Sequence, residues 1–477
     1  MNLKIVFRDH SKWFDNYKIL INSISFFYKK TFKKKWSKEI SEHIKLPEKE
    51  IEFYVKKKIL FLYDYRKNKF NYKASVFFLP IFFLYNIFYI LKIFLLRKKN
   101  RFTEKKFYHL IIENISNQDE LNRYGKLAKF YKKKGILVRS LNKNKLNLIN
   151  CNFIYKKKHK SYQLDFQDFK FFLIMLFKNF IYSIKYKTNF FYFFLVLIED
   201  FLFFKNFFKE YQSPFMISHQ HYFSNNIKNF FLKKTGGKSC LIQKNINAHN
   251  ETGFFYHTDI LFTYGKKVGV NKTFNSIINK KIPMGSFFME YYNHSKKNNS
   301  KLKFDIVCFG CNQVFPGGRY DKTPHHKYDY IDHLMWLKKI SYIYPNLKVG
   351  FKHHPNNKNS FEYNFFKDTK VKMIDQKLNS YNIGINTKVI CSFQSTMIIE
   401  MISLGKIAFF LDPNKRNNQF LGDLGHSDNL RIKNFKKFKK EIHSIFFKKN
   451  YKKIDGTDYC LRSDEFSQKL FKILNKY

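Results

Sequence analysis

VICSFQSTMIIEMISLGKIAFFLDP, residues 389–413, is the stretch on which the reading of the chain turns. Two apolar runs of strand length, VICSF and KIAFFLD, enclose STMIIEMISLG, whose apolar residues recur at helical spacing before Gly405. Strand, helix and strand make a βαβ unit, and such units build parallel sheets. Ser395 and Thr396 fall where the first strand stops and the helix starts. Their hydroxyls can cap free backbone N–H groups, and a helix start of this kind also binds phosphate. Capping accounts for Ser395 but not for Glu400, an acid in an apolar helix, one turn beyond Thr396 and on its face. A carboxylate beside a phosphate site can hold a ribose diol; a solvated helix face is the plainer alternative.

The same alternation extends back from this stretch. FDIVCFG (304–310) reads as a strand, KYDYIDHLMWLKKISYIYP (327–345) as an amphipathic helix and LKVGFKHHP (347–355) as a strand. In α/β sheets ligands collect beyond the carboxyl ends of strands, and three such ends carry unusual residues here. After the first come Gly310, Gly317, Gly318 and Arg319, a loop that admits close backbone approach and a phosphate contact. It matches neither a dinucleotide fingerprint nor a P-loop, and a turn alone would explain it. After the second come His353, His354 and Pro355; the proline holds the preceding residue extended, which sets an imidazole at the sheet edge. The third is the opening stretch.

In the first half FYHLIIEN (107–114), a helix over 119–135 and ILVRSL (136–141) form one βαβ unit, with further strands at 214–220, 238–243 and 259–265. A polar break over 281–303 marks a junction, dividing the chain into 1–105, 106–295 and 296–477. That suits 477 residues, too many for one ordinary core. No period of a solenoid repeats.

Lys and Arg total 89 against 36 Asp and Glu, a net charge of +53 that attracts phosphates of nucleic acid, anionic lipid or activated substrates. Abundant Lys, Asn, Phe and Ile is also what drift toward A- and T-rich codons produces. No RRM, KH or OB pattern accompanies the charge, so a specific nucleic-acid partner is not expected. Six scattered cysteines make no disulfide framework; Cys308 and Cys311 form a lone CxxC, read as small residues ending a buried strand rather than a zinc half-site. The N-terminus lacks the apolar core of a secretory signal. Residues 75–96, SVFFLPIFFLYNIFYILKIFLL, approach the length that crosses about 30 Å of hydrocarbon but carry Pro80, Asn86 and Lys92 and basic flanks on both sides. A monotopic or re-entrant helix on an anionic leaflet, a single span and a buried helix all remain open. The aromatic stretch 169–211 reads as helices packed in a core or lying on lipid.

A strand followed by His354-Pro355, then a strand followed by S-x-x-S-T-x-x-x-E-x-x-x-x-G-K over 392–406, resembles the donor domain of GT-B-fold bacterial transferases that build capsules and surface polysaccharides. That group includes polysialyltransferase-like enzymes, Kdo transferases and CDP-glycerol glycerophosphotransferases. The resemblance covers about residues 214–435 and implies an α/β, GT-B-like fold: two Rossmann-like domains facing a cleft, here with an added helical, membrane-associating N-terminal region. It implies that His354, Ser395 and Thr396 bind the donor phosphate, within a donor set of Gly310, Arg319, His353, His354, Pro355, Ser395, Thr396 and Glu400, with Glu400 on the ribose or base. PMGSFF (283–288) is similar to the Gly-Ser step before the family's interdomain crossing. Where relatives often show His-Gly, this chain has QKNINAHN, which leaves His249, Glu251, His219 and Asp259 as candidates for the acceptor-side base.

The expected function is a glycosyltransferase moving a sugar from a CMP- or UDP-linked donor to a glycan or lipid-linked acceptor at the cytoplasmic membrane face. A CDP-glycerol-type polyol-phosphate transferase, a nucleotide-sugar epimerase and a non-catalytic basic membrane- or nucleic-acid-binding protein are the alternatives. No DxD pair appears, so neither metal nor other cofactor is expected to be required. His354→Ala and Glu400→Ala are expected to abolish transfer without changing thermal unfolding.

Overall fold

A computed structural model of the protein describes residues 13–33, 35–64, 69–70, 78–95, 104–132, 134–142, 146–155, 166–220, 224–244, 255–266, 276–293, 303–311, 324–354, 361–413, 430–451, 454–463 and 465–477. Of the residues singled out above, His249, Glu251, Gly317, Gly318, Arg319 and Pro355 lie outside these, as do positions 75–77 and 96.

The chain begins with helices α1 (Trp13–Thr31), α2 (Trp36–Ile44) and α3 (Glu48–Phe61), a small hairpin β1 (Tyr63–Asp64) and β2 (Lys69–Phe70), and α4 (Leu79–Leu95). Next come β3 (Lys106–Phe107), β4 (Leu110–Ile115), α5 (Gln118–Asn122), α6 (Gly125–Lys129), β5 (Ile136–Ser140), β6 (Cys151–Ile154), α7 (Phe166–Tyr186) and α8 (Phe190–Glu210). The first half closes with β7 (Tyr211–Gln212), β8 (Phe215–Ser218), α9 (Asn226–Lys234), β9 (Lys238–Ile242), β10 (His257–Thr263), β11 (Ile277–Pro283) and α10 (Phe287–Asn293). Strands β4 to β6 and β8 to β11 form one parallel sheet of order β11-β10-β9-β8-β4-β5-β6; β3 pairs with β7 apart from it.

The second half contains β12 (Ile306–Phe309), α11 (Pro324–Ile343), β13 (Val349–Lys352), α12 (Phe361–Phe366), β14 (Lys372–Ile374), α13 (Ser380–Ile385), β15 (Val389–Ser392), α14 (Met397–Ser403), β16 (Ile407–Leu411) and β17 (Arg431–Ile432). Helices Phe435–Phe446 and Phe466–Asn475 follow. Its parallel sheet has the order β14-β13-β12-β15-β16-β17. Both sheets are laid down alike. The chain starts at the centre, walks to one edge, and returns to the other side of its first strand. Each therefore has a switch point, between β4 and β8 in the first and between β12 and β15 in the second, where strand-end loops part and leave room for a ligand. This two-sheet parallel architecture is the one the resemblance implied.

Strands buried on both faces begin as apolar runs, as in LII of β4, IVCF of β12 and VIC of β15. The edges are less regular. Strand β11 leaves Asn279 to Lys281 exposed, and neither it nor β6 or β14 shows the apolar run by which the other strands are recognised. The helix expected over 119–135 is two short ones, α5 and α6.

The described N-terminal helices are not a separate body. Leu20, Trp36 and Ile51 share a core with Phe190 and Phe194 of α8 and with Ile111 of the first sheet. Trp36 Nε1 donates to Asn179 Oδ1 of α7 at 2.8 Å, and Phe32 meets Phe190 at 4.7 Å between ring centroids. Among the described residues no helix is long and apolar enough to cross a membrane. At the other terminus, Phe466, Leu470 and Leu474 enter the core of the first sheet with Leu110 and Leu127, a return crossing that a boundary at 296 does not anticipate.

Candidate functional site

A cavity of about 380 Å³ opens at the carboxyl ends of β12, β13 and β15, at the second switch point. Four of the residues singled out from the sequence line it: Gly310, His353, His354 and Ser395. Each owes its position to the strand before it. Gly310 leaves β12 with its N–H on the carbonyl of Lys352, and a Cβ there would stand 3.0 Å from the Phe351 ring and 3.4 Å from the amide nitrogen of His354. A larger residue would push the β13 end outward, so glycine keeps the two strand ends close. Ser392, the last residue of β15, donates its hydroxyl to the carbonyl of Phe309 at 2.7 Å and ties the ends of β15 and β12 together.

The two histidines do different work. His353 is buried, with Nδ1 3.0 Å from Glu362 Oε2, and Tyr330 donates to the other carboxylate oxygen at 2.9 Å. Burial by itself would raise the Glu362 pKa, but the His353 and Tyr330 hydrogen bonds outweigh it and hold the carboxyl below its ordinary value. His353 is thereby anchored to α12. His354 faces the cavity; burial, then the neighbouring charges of His353 and Lys352, push its pKa down to about 4, with Glu362 opposing. It is a neutral imidazole at pH 7, able to donate one hydrogen bond but not to supply charge.

Positive charge comes instead from Lys352, the last residue of β13. Its Nζ donates to the carbonyls of Asp375 at 3.3 Å and Gln376 at 3.0 Å. Burial lowers its pKa, and Asp375 opposes the shift. Lys377, exposed, adds a second cation at the rim. Ser395 Oγ accepts the amide of Met397 at 3.2 Å, the cap expected of it. Thr396 lies in helical conformation without a side-chain cap bond and does not line the cavity.

Glu400 is where the structure corrects the sequence reading. It is on α14 as expected, but it is 2% exposed and does not line the cavity. Ser286 Oγ donates to Oε1 and Tyr381 OH to Oε2 at 3.0 Å. Burial raises its pKa to about 7 while the Ser286 and Tyr381 hydrogen bonds pull the other way. Tyr381 does line the cavity, so Glu400 stands behind it as a support rather than meeting a ribose. Through Ser286 it also binds the Gly-Ser step that leaves the first sheet. Gly285 there has φ +96, and a Cβ would lie 2.4 Å from the carbonyl oxygen of Leu461.

At the first switch point His219 follows β8 and is fully buried. Its Nδ1 is 3.3 Å from Tyr124 OH, and Nε2 lies 3.8 Å from Glu120 Oε1 with no hydrogen-bond partner among the described residues. Burial lowers the imidazole pKa against the pull of Glu120. Burial would raise Glu120, but the nearby His219 imidazole and hydrogen bonds from both the hydroxyl and the N–H of Ser116 bring it to about 2. Gln220 Nε2 reaches the same carboxylate at 3.2 Å. Asp259 is elsewhere, low on β10, where it accepts from Ser239 and Asn279 and braces three strands. Sequence reading missed Lys352, Tyr381 and Glu120; a lysine inside the apolar run before HHP was the available signal for the first.

Cys308 and Cys311 are buried thiols in no disulfide among the described residues, and burial drives the Cys311 thiol up to about 12. Among the described residues no group of His, Cys, Asp and Glu could hold a metal ion.

Fold and cavity together define a two-sheet parallel α/β protein with a ligand-sized space at a topological switch point. No family model matches the chain, and no curated protein matches it. Among solved structures, UDP-GlcNAc 2-epimerase from Methanocaldococcus jannaschii is 12% identical with TM-score 0.43, covering 78% of this chain and 100% of that one. UDP-GlcNAc 2-epimerase from Neisseria meningitidis, bound to UDP-GlcNAc, is 9% identical with TM-score 0.40 over 78% of this chain and 100% of its own. A variant of the wall teichoic acid polymerase TagF is 10% identical with TM-score 0.43, covering 85% and 98%.

Proposed function

We propose that the protein is a nucleotide-dependent transferase whose donor sits in the cavity between β12, β13 and β15, and that it moves a sugar to a glycan or lipid-linked acceptor. One observation carries this reading: Lys352, His354, Ser395 and the close-packed Gly310 converge on a single 380 Å³ space at the switch point. Such a set suits a diphosphate. A buried lysine supplies charge, a neutral imidazole and a hydroxyl supply directed hydrogen bonds, and glycine lets the backbone approach. The same groups would stabilise the phosphate as it departs. Among the described residues, His219, neutral at pH 7, buried and held by Tyr124, is the candidate we assign to take the proton from an acceptor hydroxyl.

Thermal shift with CMP, CDP, UDP and GDP tests the donor site. One nucleotide is expected to stabilise the chain and to lose that effect in His354→Ala. A flat response to all four would return the chain to a charge-driven binding role. CDP-glycerol as donor, in place of a nucleotide sugar, is distinguished by offering both classes with radiolabelled donor.

A further inference from the structure

Helices α4 and α7 lie side by side, with Phe83 on Phe177 at 5.2 Å and Phe94 on Phe169 at 4.3 Å. Each turns an apolar stripe outward. On α4 it comprises Ile81, Leu84, Tyr85, Phe88 and Leu95, which are 53% to 76% exposed. On α7 it comprises Phe166, Ile174, Phe177, Ile181 and Ile184, 45% to 68% exposed. Residues spaced three and four apart share a helix face, so these are two parallel bands of one surface. Such patches on a soluble protein mark an interaction site.

Charge says what covers it. The exposed charged residues of the two helices are Lys92, Lys170 and Lys185, all positive. Their one acid, Asp168, is buried and paired with His43 and Lys205, each at 3.1 Å. An apolar band whose own exposed charges are all lysines, with the half-buried acids Glu39 and Glu199 of neighbouring helices bonded to Lys178 and Tyr89, complements an anionic lipid surface, with the apolar groups in the acyl boundary and the lysines at the headgroups. Helix α4 has 17 residues and packs its other side, through Ile90 and Ile93, into the protein core, so it lies along a surface rather than across one.

Behind the band is a second cavity, of about 430 Å³, between α4 and α8. Ile81 and Tyr85 belong both to its lining and to the exposed stripe, so it opens onto that face. Phe82, Phe193 and Leu195 complete an apolar wall. Asn86 also lines it and is 2% exposed; its Nδ2 donates to the carbonyl of Phe82 at 2.8 Å, while Oδ1 has no partner among the described residues. An apolar slot with one unmatched acceptor fits a hydrocarbon chain that brings a hydrogen-bond donor near its head.

We propose that the α4–α7 face rests on an anionic lipid bilayer, with α4 in its plane, and that the α4–α8 cavity takes one hydrocarbon chain of a bilayer lipid. The test is co-sedimentation of the full chain with phosphatidylcholine vesicles, with and without phosphatidylglycerol. It reads binding without turnover, so its outcome is separate from that of the donor site. Binding is expected only with the anionic vesicles. Phe88→Asp combined with Ile181→Asp is expected to weaken it by about tenfold or more with unfolding temperature unchanged, because both side chains point outward, at 69% and 62% exposure. Leu195→Trp, filling the cavity, and Ile81→Trp, narrowing its exposed lip without touching the core, are each expected to weaken binding several-fold. Equal binding to neutral vesicles, or full binding by the double Asp variant, overturns the docking face. Full binding by both Trp variants overturns the chain site.

Discussion

The two sheets share one strand order but fill their switch points differently. Strands β12 and β15 stay paired to their ends and the loops beyond them part around an open cavity, while beyond β4 and β8 the corresponding place is packed with His219, Tyr124 and Glu120. Topology thus supplies the place for a ligand, and side chains decide whether it stays open. Small residues hold the second site open: Gly310 and Ser395 at its walls, Ser392 bridging beneath them. In the first, the buried His219 imidazole, its Nδ1 3.3 Å from Tyr124 OH and its Nε2 3.8 Å from Glu120, occupies that place.

The largest expected effect separates these roles. His219→Gln should lower turnover by roughly 100-fold to 10,000-fold, the range of a lost general base, and leave nucleotide affinity unchanged. A joint loss of affinity and turnover would erase the distinction between the two sites, and unchanged turnover in a folded variant would make His219 a core histidine. Nucleotide titration and initial rates read both quantities.

Next comes Glu400. Removing it leaves Ser286 and Tyr381 without their acceptor in the interior, so Glu400→Ala should lower unfolding free energy by about 2–4 kcal/mol in urea titrations. An unchanged midpoint together with lost nucleotide binding would restore the carboxylate to the donor site. The pH dependence carries a sign. With the folded pKa raised from 4.5 to about 7, the native state retains a proton that the unfolded state has released. Its contribution is therefore full below about pH 4.5 and is lost as pH rises to about 7. Wild-type stability should fall across that window relative to Glu400→Gln, by up to roughly 3 kcal/mol. A flat difference between the two proteins would show the carboxyl to be solvated.

His354→Ala should weaken nucleotide binding by about tenfold to 100-fold, as loss of a hydrogen bond to a charged group does, with thermal unfolding little changed. Because His354 stays neutral down to about pH 4, affinity should show no imidazole titration between about pH 6 and 7. A step there would mean that the imidazole charges and binds phosphate as a cation. The smallest effect is expected at Ser395. Ser395→Ala should cost about 1 kcal/mol, read as a several-fold weaker Kd, part of it from the lost cap to Met397.

Much of the second sheet was legible because its strands are buried on both faces and must be apolar runs whatever surrounds them. Edge strands such as β11, with Lys280 and Lys281 exposed, carry no such demand and went unread. His354, Ser395 and Gly310 were legible because they interrupt those runs at their ends. Lys352 was hidden inside a run. Tyr381 and Glu120 were hidden because short helices bring them to the sites, and nothing in local spacing says which neighbour a short helix will meet.

Periodicity in the chain determined that it builds parallel α/β layers, that strands end shortly before Gly310, His354 and Ser395, and that α4 and α7 are strongly apolar, for these follow from backbone geometry and local pattern. Only tertiary packing decided that Glu400 faces Ser286 and Tyr381 instead of a ligand, that α4 buries one side and bares the other, and that the last helix returns to the first sheet. The reason is physical. Spacing places a side chain on a face of its own element, whereas what that face meets depends on contacts far apart in the chain, such as Ser286 with Glu400.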